Sequence, residues 1–507
     1  MGLAGCSESA VEPESQESAC CDEQSAALTS SEPTCCSEHP ATLAEPEPTY
    51  CDEPSAVLAS PDPVAADNTI SRRDFLAASG VLGLLGLGVA TAGSLAGCEP
   101  EPTEDNEDLT TPPTPAGEDP TPISVASEQL IEATIFNEQP LVNYLDEVVR
   151  HTLPYGSIVY QINYDLALVL TPHEQGNALV DIYLLNLNDG RMVLLLNQAE
   201  GLKNGHDDAI LYDARASESL LVWTECDIAT MKWQVYAAAI IEQGIDQPVL
   251  IDTGEPEYEV PLLAVIGNKA YWTVMPNPEG TAQYEDSYLK AMIYKQRQPW
   301  VVYTSHGRII TTPLISQETL TFSPRVDTKN VYYQLTALNT NNDKIINYSI
   351  MPQSMRIHEA LYLFDRFVFS LENNYSYADG LGYYGTYMPM SDGLHWLHLS
   401  RKPSAAPILL GGRLVLKSST RVIGIDPEAQ TYYSIPTLAD AADYGDVLAG
   451  WGMQERLVVY CNVKGSGILS DTHGVVRVFE QVRPPEPEPS PSEPTEPEPP
   501  PSEPTVQ

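Results

Sequence analysis

The sequence predicts an all-β fold for residues 123–483, and three observations support this. Short runs rich in Val, Ile, Leu, Tyr and Thr follow one another after Tyr155, with turn residues between them. The runs group into sets of four, and the sets recur about every 50 residues. No segment after Tyr155 has the apolar spacing of a long amphipathic helix. The repeated unit is therefore a small sheet of four antiparallel strands.

One helix is expected before the strands begin, because Leu141, Leu145, Val148 and Val149 share a face at helical spacing. The three most regular units then comprise, in order, Ser157–Gln161, Leu166–Thr171, Val180–Asn186 and Met192–Leu196; Ala209–Tyr212, Leu220–Thr224, Trp233–Ile240 and Pro248–Asp252; and Leu262–Ile266, Lys269–Val274, Tyr288–Tyr294 and Trp300–Thr304. Weaker units are expected at Leu320–Phe322 with Val331–Leu335 and Ile345–Ile350, at Leu361–Leu371 with an insertion to Leu397, from Gly412 around Asp426, and at Leu457–Val463 with Val475–Phe479.

Four-stranded units that repeat in this way predict a β-propeller. Each unit has two apolar faces and needs a neighbour on both sides, so several must stack in a ring. The length of the region suits six or seven blades. At the level of architecture the pattern resembles TolB-like and quinoprotein-like propellers, without a regular WD or kelch signature. Stacked β-sandwiches are the alternative fold.

The flanks of this region are acidic, Pro-rich and expected to be disordered. Residues 123–483 hold 41 Asp+Glu against 24 Lys+Arg, so most of the net charge of −44 lies outside them. Residues 1–70 form a leader with four 15-residue repeats around Cys6, Cys21, Cys36 and Cys51, which we interpret as a disordered segment rather than a metal or redox sensor. Residues 99–122 form a Pro/Thr-rich tether, and residues 484–507 form a Pro/Glu-rich tail.

Residues 71–98 divide the leader from the tether. A paired arginine precedes an apolar, glycine-diluted run, and the run ends in Leu-Ala-Gly-Cys. This stretch resembles a bacterial twin-arginine (Tat) signal followed by a lipobox. It departs from the Tat pattern in lacking a Lys after the Phe-Leu pair. The targeting residues would be Ser71, Arg72, Arg73, Phe75 and Leu76, and the lipidation residues Leu95, Ala96, Gly97 and Cys98.

The resemblance implies the Tat translocase as a partner during export and a membrane attachment through lipid on Cys98. The protein is therefore expected to be extracytoplasmic and anchored to the cell membrane. An uncleaved membrane anchor is the alternative. Of the nine cysteines, only Cys226 and Cys461 would lie in the exported domain, either free and buried or paired with each other.

Candidate binding residues come from two kinds of segment. Loops that precede the first strand of a unit carry ionisable groups, and in a propeller such loops converge around the axis. These candidates are His206, Asp207, Asp208, Glu257, Glu259, His306 and Arg308. The insertion at 373–384 is rich in Tyr, Gly and Asn, a composition typical of recognition loops. Its candidates are Tyr375, Tyr377, Tyr383 and Tyr384.

The sequence names no reaction, cofactor or ligand. It contains no nucleophile-elbow, zincin, P-loop or dinucleotide motif in the domain, so no catalytic residue is assigned. His395 and His398 lie in an expected strand, Leu394–Leu399, where they would face opposite sides and not share a metal. The strong negative charge argues against nucleic acid. We expect a binding or scaffold module for a protein, peptide or glycan. The alternatives are an exported lyase or glycoside hydrolase that uses the His and acid residues above, and an envelope assembly factor.

Overall fold

The computed structural model describes residues 121–172, 179–203, 208–279, 282–326, 330–401, 406–418, 421–442, 445–464 and 472–482. The leader repeats, the targeting and lipidation residues, the tether up to residue 120, and the tail lie outside these ranges, as do His206 and Asp207. Within the described ranges the protein is almost entirely β-structure. Its one α-helix there is α1 (Glu200–Lys203).

The described chain begins with a short segment, residues 123–138, which we call the strap. It carries strands β1 (Leu130–Glu132) and β2 (Asn137–Glu138) and the 3₁₀ turns Ser127–Gln129 and Ala133–Ile135. A third 3₁₀ turn, Leu141–Asn143, leads into β3 (Leu145–Leu153). β1 and β2 add parallel strands to the outer edges of two later sheets. The strap therefore runs along the outside of the fold.

Four sheets follow in chain order, here called blades 1 to 4. Blade 1 comprises β4 (Ile158–Gln161), β5 (Leu166–Pro172), β6 (Leu179–Asn186) and β7 (Met192–Leu196). Blade 2 comprises β8 (Ala209–Ala216), β9 (Leu220–Asp227), β10 (Trp233–Ile241), the short β11 (Gly244–Ile245) and β12 (Val249–Gly254). Blade 3 comprises β13 (Leu263–Ile266), β14 (Lys269–Val274), β15 (Ser287–Ile293) and β16 (Trp300–Ser305). Blade 4 comprises β17 (Leu314–Ser316), β18 (Thr319–Phe322), β19 (Gln334–Asn339) and β20 (Lys344–Ile350).

Three more sheets complete the described fold. Blade 5 comprises β21 (Glu359–Leu363), β22 (Arg366–Leu371), β23 (Gly385–Pro389) and β24 (Trp396–Leu399), with β1 beside β24 and the 3₁₀ turn Asp379–Gly382 in its insertion. Blade 6 comprises β25 (Ile408–Leu410), β26 (Arg413–Ser418), β27 (Arg421–Asp426) and β28 (Thr431–Ile435), with β2 beside β28. Blade 7 comprises β29 (Val447–Leu448), β31 (Leu457–Val463) and β32 (His473–Gln481), with β3 as its outer strand; β30 (Gly452–Met453) pairs with β25.

The seven sheets of the described residues form a closed ring. Separate apolar cores lie between blades 1 and 2, 2 and 3, and so on to blades 6 and 7. A further core joins blade 7 back to blade 1, with Val458 and Val476 packed against Val159 and Val169. Each sheet thus buries both faces against its neighbours. The predicted β-propeller is confirmed, and the stacked-sandwich alternative is wrong because no sandwich closes in this way.

The ring is closed by a strand from the start of the domain. β3 pairs antiparallel with β32, from Leu145 opposite Gln481 to Leu153 opposite Gly474. The helix predicted from Leu141, Leu145, Val148 and Val149 is therefore wrong. The apolar spacing there is also compatible with an extended strand that has a bulge between Glu147 and Val149. The partner that selects the strand lies more than 300 residues away in the sequence, so a local pattern does not contain it.

The strand predictions hold for blades 1 to 3 and need correction in blades 4 and 5. The apolar run at Leu361–Leu371 is two strands, β21 and β22, joined by a tight turn at Phe364 and Asp365 with φ of 47° and 60°. A turn with two positive φ values normally carries Asn or Gly, so the Phe-Asp pair does not indicate a turn at this point of the sequence. The predicted strand Val331–Leu335 begins only at Gln334. Cys226 and Cys461 are both buried and form no disulfide.

Glu132 fixes the strap to blade 5. Its Oε2 lies 2.8 Å from Nδ1 of the buried His398, and its Oε1 accepts hydrogen bonds from the backbone N–H groups of Thr134 and Ser400. Burial raises the pKa of Glu132, but these hydrogen bonds outweigh it and hold the pKa at about 2. The carboxylate therefore contributes stability that is fully present above pH 4.5 and is lost as the pH falls towards 2.

Replacing Glu132 with Gln is expected to lower the free energy of unfolding by about 1–2 kcal/mol at pH 7, after allowing for solvent exposure of the carboxylate. The difference from the natural protein should close as the pH is lowered from 4.5 towards 2. Urea unfolding followed across this range measures it. Glu138→Gln is the control, because that carboxylate on the same strap is exposed and accepts a long hydrogen bond, 3.3 Å, from the Tyr432 hydroxyl. Equal losses in both variants would contradict the prediction.

Candidate functional site

All described candidate residues lie on one face of the ring. Successive strands of a blade run in opposite directions, so the connections that follow a second or a fourth strand emerge at the same end. We call this end the upper face. It carries the loops that join consecutive blades, with Asp208 before β8, Glu257 and Glu259 before β13, and His306 and Arg308 before β17. The tyrosine-rich insertion between β22 and β23 lies there too.

Arg308 and Glu259 are brought together at the junction of blades 3 and 4. Arg308 Nη2 lies 2.8 Å from Glu259 Oε1, and Arg308 Nη1 donates to the Pro276 carbonyl. Both side chains are largely shielded from solvent. The ion pair joins the loop before blade 4 to two loops of blade 3. The ion pair therefore holds blades 3 and 4 together. The charge of each group is compensated by the other, so neither presents an unpaired charge to a ligand.

His306 and Glu257 are more open to solvent. His306 Nδ1 lies 3.5 Å from Asp286 Oδ1, and its backbone N–H donates to the Arg325 carbonyl. The Glu257 side chain is exposed. Asp286 and Arg325 are neighbours that sequence reasoning did not find, because they lie on connections between second and third strands. A rule that treats both kinds of upper-face connection as equivalent would have found them.

Tyr258 and Glu285 form a further upper-face pair that the sequence did not indicate. The Tyr258 hydroxyl donates to Glu285 Oε2 at 2.6 Å. This hydrogen bond, together with burial, raises the pKa of Tyr258 to about 12. The phenol therefore stays protonated in the physiological range and acts as a hydrogen-bond donor. Asp208, in contrast, is exposed before β8.

The axis below these loops is occupied by residues 449–454, here called the axial segment. Its Ala449 carbonyl accepts from the Gln161 N–H of blade 1, and its Gln454 N–H donates to the Leu409 carbonyl of blade 6. Trp451 Nε1 donates to the Ile315 carbonyl of blade 4 at 2.9 Å. One short segment reaches these non-adjacent blades only by crossing the axis. The space on the axis below the converging loops is therefore filled, at this depth, by protein.

A shallow cleft of about 200 Å³ lies on the upper side of blade 2. Its lining includes the buried Trp233, the exposed Lys232–Glu255 ion pair and the buried Glu225. Burial raises the pKa of Glu225, against the hydrogen bonds that its carboxylate accepts from the N–H groups of Gly201 and Glu200 and from Trp223 Nε1. Glu225 thus anchors the start of α1, and its oxygens are directed at the protein rather than at the cleft.

The tyrosine-rich insertion, residues 373–384, is held by several hydrogen bonds on the upper face; we call it the tyrosine loop. Its Leu381 is buried in the core between blades 4 and 5. The Tyr375 N–H donates to the Gly382 carbonyl, and the Tyr384 N–H donates to Asn374 Oδ1. The Tyr377 hydroxyl donates to the Gln353 carbonyl at 2.8 Å. The loop is therefore a folded element rather than a plain long hairpin.

Three rings of the tyrosine loop face solvent. Tyr377 is 59% exposed, Tyr383 51% and Tyr384 39%. Tyr375 is partly covered and meets Tyr377 edge to face, with ring centroids 5.9 Å apart. The other exposed side chains of the loop are Asn373, Asn374, Ser376 and Asp379. The exposed surface of the loop thus combines aromatic rings with amide, hydroxyl and carboxylate groups.

Among the described residues no group of three or more His, Cys, Asp and Glu side chains is placed to hold a metal ion. His395 precedes β24 instead of lying in it, and its Nδ1 is 2.5 Å from Asp392 Oδ2. His398 is inside β24, buried and held by Glu132. The predicted strand Leu394–Leu399 is thus shortened to Trp396–Leu399. In the part of the chain that the structure covers, no helix has the length and apolar character needed to cross a membrane.

Comparison with known proteins finds similarity to solved structures alone. No family model and no curated protein matches this chain. Similar solved structures include a prolyl endopeptidase (12% identity, TM-score 0.43, covering 61% of this chain and 46% of that one). They also include the propeller domain of the Trilobed protease from Pyrococcus furiosus (11%, 0.35, 51% and 78%) and an oligogalacturonate lyase in complex with manganese (9%, 0.36, 69% and 99%). This chain matches less than half the length of the prolyl endopeptidase.

Proposed function

We propose that this protein is a lipid-anchored, extracytoplasmic binding protein whose propeller recognises a glycan through the tyrosine loop. The observation that carries the proposal is the exposure of Tyr377, Tyr383 and Tyr384 on a loop whose backbone is held by buried contacts. Tyrosine offers a large, rigid contact area with an apolar face and a polar edge, at low entropic cost. Such rings stack on the C–H faces of sugars.

The surroundings of the rings favour a glycan over a protein or a membrane. Asn373, Asn374 and Ser376 supply hydrogen-bonding groups beside the rings, which suits the hydroxyl groups of a sugar. The exposed side chains of the loop include no aliphatic and no basic residue. Protein hot spots are enriched in Trp, Tyr and Arg, of which the exposed side chains of the loop include only Tyr, and surface-bound membrane segments are enriched in Trp, Phe, Leu, Lys and Arg. The proposed ligand is therefore a glycan, and the experiment below also detects a protein ligand.

The cellular location is proposed on the sequence of residues 71–98. The Tat-like arginine pair and the lipobox support export and lipidation of Cys98, with the tether separating domain and membrane. The strap begins close to the end of that tether, at Ile123.

The enzyme alternative needs a side chain that can react with a substrate. The described carboxyls whose pKa lies above its ordinary value on balance, through burial, are Glu225 and Asp446, and they are held by the backbone near α1 and by Arg477 respectively.

The proposal is tested with the full chain, isolated from membranes in detergent and mixed with insoluble chitin, cellulose and peptidoglycan. We expect retention on one of these polysaccharides and release of the protein from the membrane fraction when Cys98 is replaced with Ala. Tyr377→Ala combined with Tyr383→Ala should weaken retention about tenfold or more, because two stacking contacts of about 1 kcal/mol each are lost.

Tyr284→Ala is the matched control for this experiment. That tyrosine is 82% exposed on the upper face of blade 3, outside the tyrosine loop. Its removal should leave retention unchanged. Failure of all three polysaccharides to retain the protein, or an equal loss with Tyr284→Ala, would overturn glycan recognition by the loop. Capture of a protein that is lost with the tyrosine pair would replace the glycan by a protein ligand.

A further inference from the structure

The strap is part of the structure that supports the tyrosine loop. Val125 is buried in the same core as Leu381 and Tyr387. The Gly380 N–H donates to the Val125 carbonyl at 2.9 Å, and Ser127 Oγ donates to Asp379 Oδ1 at 2.7 Å. The strap and the middle of the loop therefore fold against each other, although about 250 residues separate them in the sequence.

The contact at Gly380 has no spare room. A Cβ atom at this position would lie 2.5 Å from the Val125 carbonyl oxygen and 2.9 Å from the backbone of Ala126. The obstacle is backbone on the strap, so it cannot yield as the end of a side chain would. The Tyr387 hydroxyl lies 3.2 Å from the Gly380 carbonyl and 2.5 Å from that of Tyr383. The Tyr387 hydroxyl thereby connects Gly380, which contacts the strap, to the backbone of Tyr383, whose ring is exposed.

A second connection holds the far end of the loop. His398 Nδ1 lies 2.8 Å from Glu132 on the strap, and its Nε2 lies 3.2 Å from the Tyr384 carbonyl. The rings of Tyr383 and Tyr387 both approach the His398 ring, at 6.3 and 4.7 Å between centroids. The strap therefore reaches the backbone of both Tyr383 and Tyr384 through one intervening side chain each, Tyr387 and His398.

We infer that the strap is a positioning element of the binding site, so that strap docking and ligand binding on the tyrosine loop stabilise each other. This inference rests on the proposed function. Displacing the strap removes Val125 and Glu132 from beneath the loop and frees the rings from their fixed orientation, which lowers affinity through lost preorganisation. By linkage, a ligand that holds the rings in place holds the strap by the same factor. The segment that follows the membrane tether is in this way coupled to recognition.

Hydrogen exchange tests the coupling without any ligand. Gly380→Ala in the full chain should raise amide exchange at least tenfold both in the strap, residues 123–138, and in the tyrosine loop, residues 373–384. Gly474→Ala is the matched control. Its new methyl group would also meet a backbone carbonyl, that of Pro154 at 2.9 Å, but where β32 meets β3 in blade 7. It should leave exchange in both segments unchanged. Faster exchange in the strap alone would overturn the inference.

A milder variant keeps the test decisive if Gly380→Ala fails to fold. Ser127→Ala removes the hydrogen bond to Asp379 without inserting a methyl group, and should raise exchange in both segments by a smaller factor. Asp379→Asn as a single variant, which retains an acceptor oxygen for the Ser127 hydroxyl, should keep most of the protection. No change of loop exchange in Ser127→Ala would count against the inference.

The ligand half of the coupling uses soluble chitohexaose and cellohexaose as probes. A bound probe should slow exchange in the strap of the natural protein, and Gly380→Ala should weaken its binding tenfold or more, while Gly474→Ala binds normally. Coupled exchange in a protein that binds neither probe and none of the three polysaccharides would uphold the positioning role and overturn the glycan function. Saccharide binding that leaves strap exchange unchanged would uphold the function and overturn the coupling.

Discussion

Replacing Arg477 with Met is expected to lower the free energy of unfolding by about 3–5 kcal/mol, because the buried Asp446 carboxylate loses the guanidinium that pairs with it and keeps only the Cys461 thiol and the more distant charge of Lys417. Arg477 is buried in β32, where its Nη1 lies 3.0 Å from Asp446 Oδ2 and its Nη2 lies 2.8 Å from Glu147 Oε2. Asp446 is buried as well, immediately before β29, and Glu147 lies in β3. The guanidinium therefore joins the inner, third and outer strands of blade 7, the blade that closes the ring.

The loss in Arg477→Met should depend on pH in a definite direction. Burial raises the pKa of Asp446, and Arg477 opposes that rise. Without Arg477 the folded-state pKa lies still further above the unfolded value, so protonation relieves the penalty. The deficit of the variant should therefore shrink as the pH falls from 7 towards 5. Asp446→Asn in the Arg477→Met background should recover part of the stability at pH 7. Urea unfolding at the two pH values measures both effects.

Arg150→Met is the control for this experiment. Arg150 also pairs with Glu147, at 2.6 Å, but its side chain is 52% exposed. An exposed pair of this kind contributes less than about 1 kcal/mol, so the variant should unfold almost as the natural protein does. Similar losses in Arg477→Met and Arg150→Met would show that burial does not control the strength of these pairs, contrary to the argument.

Truncating Trp451 to Ala is expected to cost about 3 kcal/mol of unfolding free energy, through loss of packing on the axis. Its ring packs against two inter-blade cores, one between blades 1 and 2 and one between blades 5 and 6, which are not neighbours in the ring. It lies near the Tyr160 ring and near the guanidinium of the buried Arg215, which itself stacks on Tyr160 at 3.8 Å. The indole thus connects opposite sides of the propeller.

Trp451→Phe preserves part of the packing. It keeps an aromatic ring on the axis but loses the Nε1–H bond to the Ile315 carbonyl and the volume that the smaller phenyl ring does not fill, so a loss of about 1–2 kcal/mol, smaller than that of Trp451→Ala, is expected. Thermal or urea unfolding of the pair measures the difference. A Trp451→Ala variant as stable as the natural protein would mean that the axial segment is not part of the packed interior.

The axial segment also depends on a glycine. Gly452 has φ of 74°, and a Cβ atom there would lie 2.7 Å from the Ser316 side chain of blade 4. The positive φ turns the chain from the end of β29 towards β25, where Gly452 pairs with Ile408. The Trp-Gly pair is visible in the sequence, but nothing local indicates that the segment crosses the axis. Its position on the axis follows from its simultaneous contacts with blades 1, 4 and 6.

The sequence by itself determined the repeated four-stranded unit and hence the propeller. Alternation of apolar and polar residues and turn chemistry are local, so the sequence predicts most strands of blades 1 to 3 to within one or two residues of their ends, although β8 and β9 continue to Ala216 and Asp227, beyond the predicted Tyr212 and Thr224. Locality also explains the failures. The sequence predicts a helix where the outer strand of blade 7 lies, because Leu145 and Val149 fit both periods, and only the pairing with β32 decides between them. The sequence does not predict the Phe364–Asp365 turn, because this pair of residues does not indicate positive φ values.

For the candidate site, too, some features are visible in the sequence and others appear only in the tertiary structure. The composition of the tyrosine loop was visible in the sequence, and so was the location of Glu259 and Arg308 on loops between blades. Tertiary structure alone decided that Glu259 and Arg308 neutralise each other, that the axis is filled by Trp451, and that the strap lies beneath the loop. These facts are contacts between residues far apart in the chain. Periodicity and propensity describe neighbours along the chain, whereas burial, ion pairing and ring closure are set by neighbours in space.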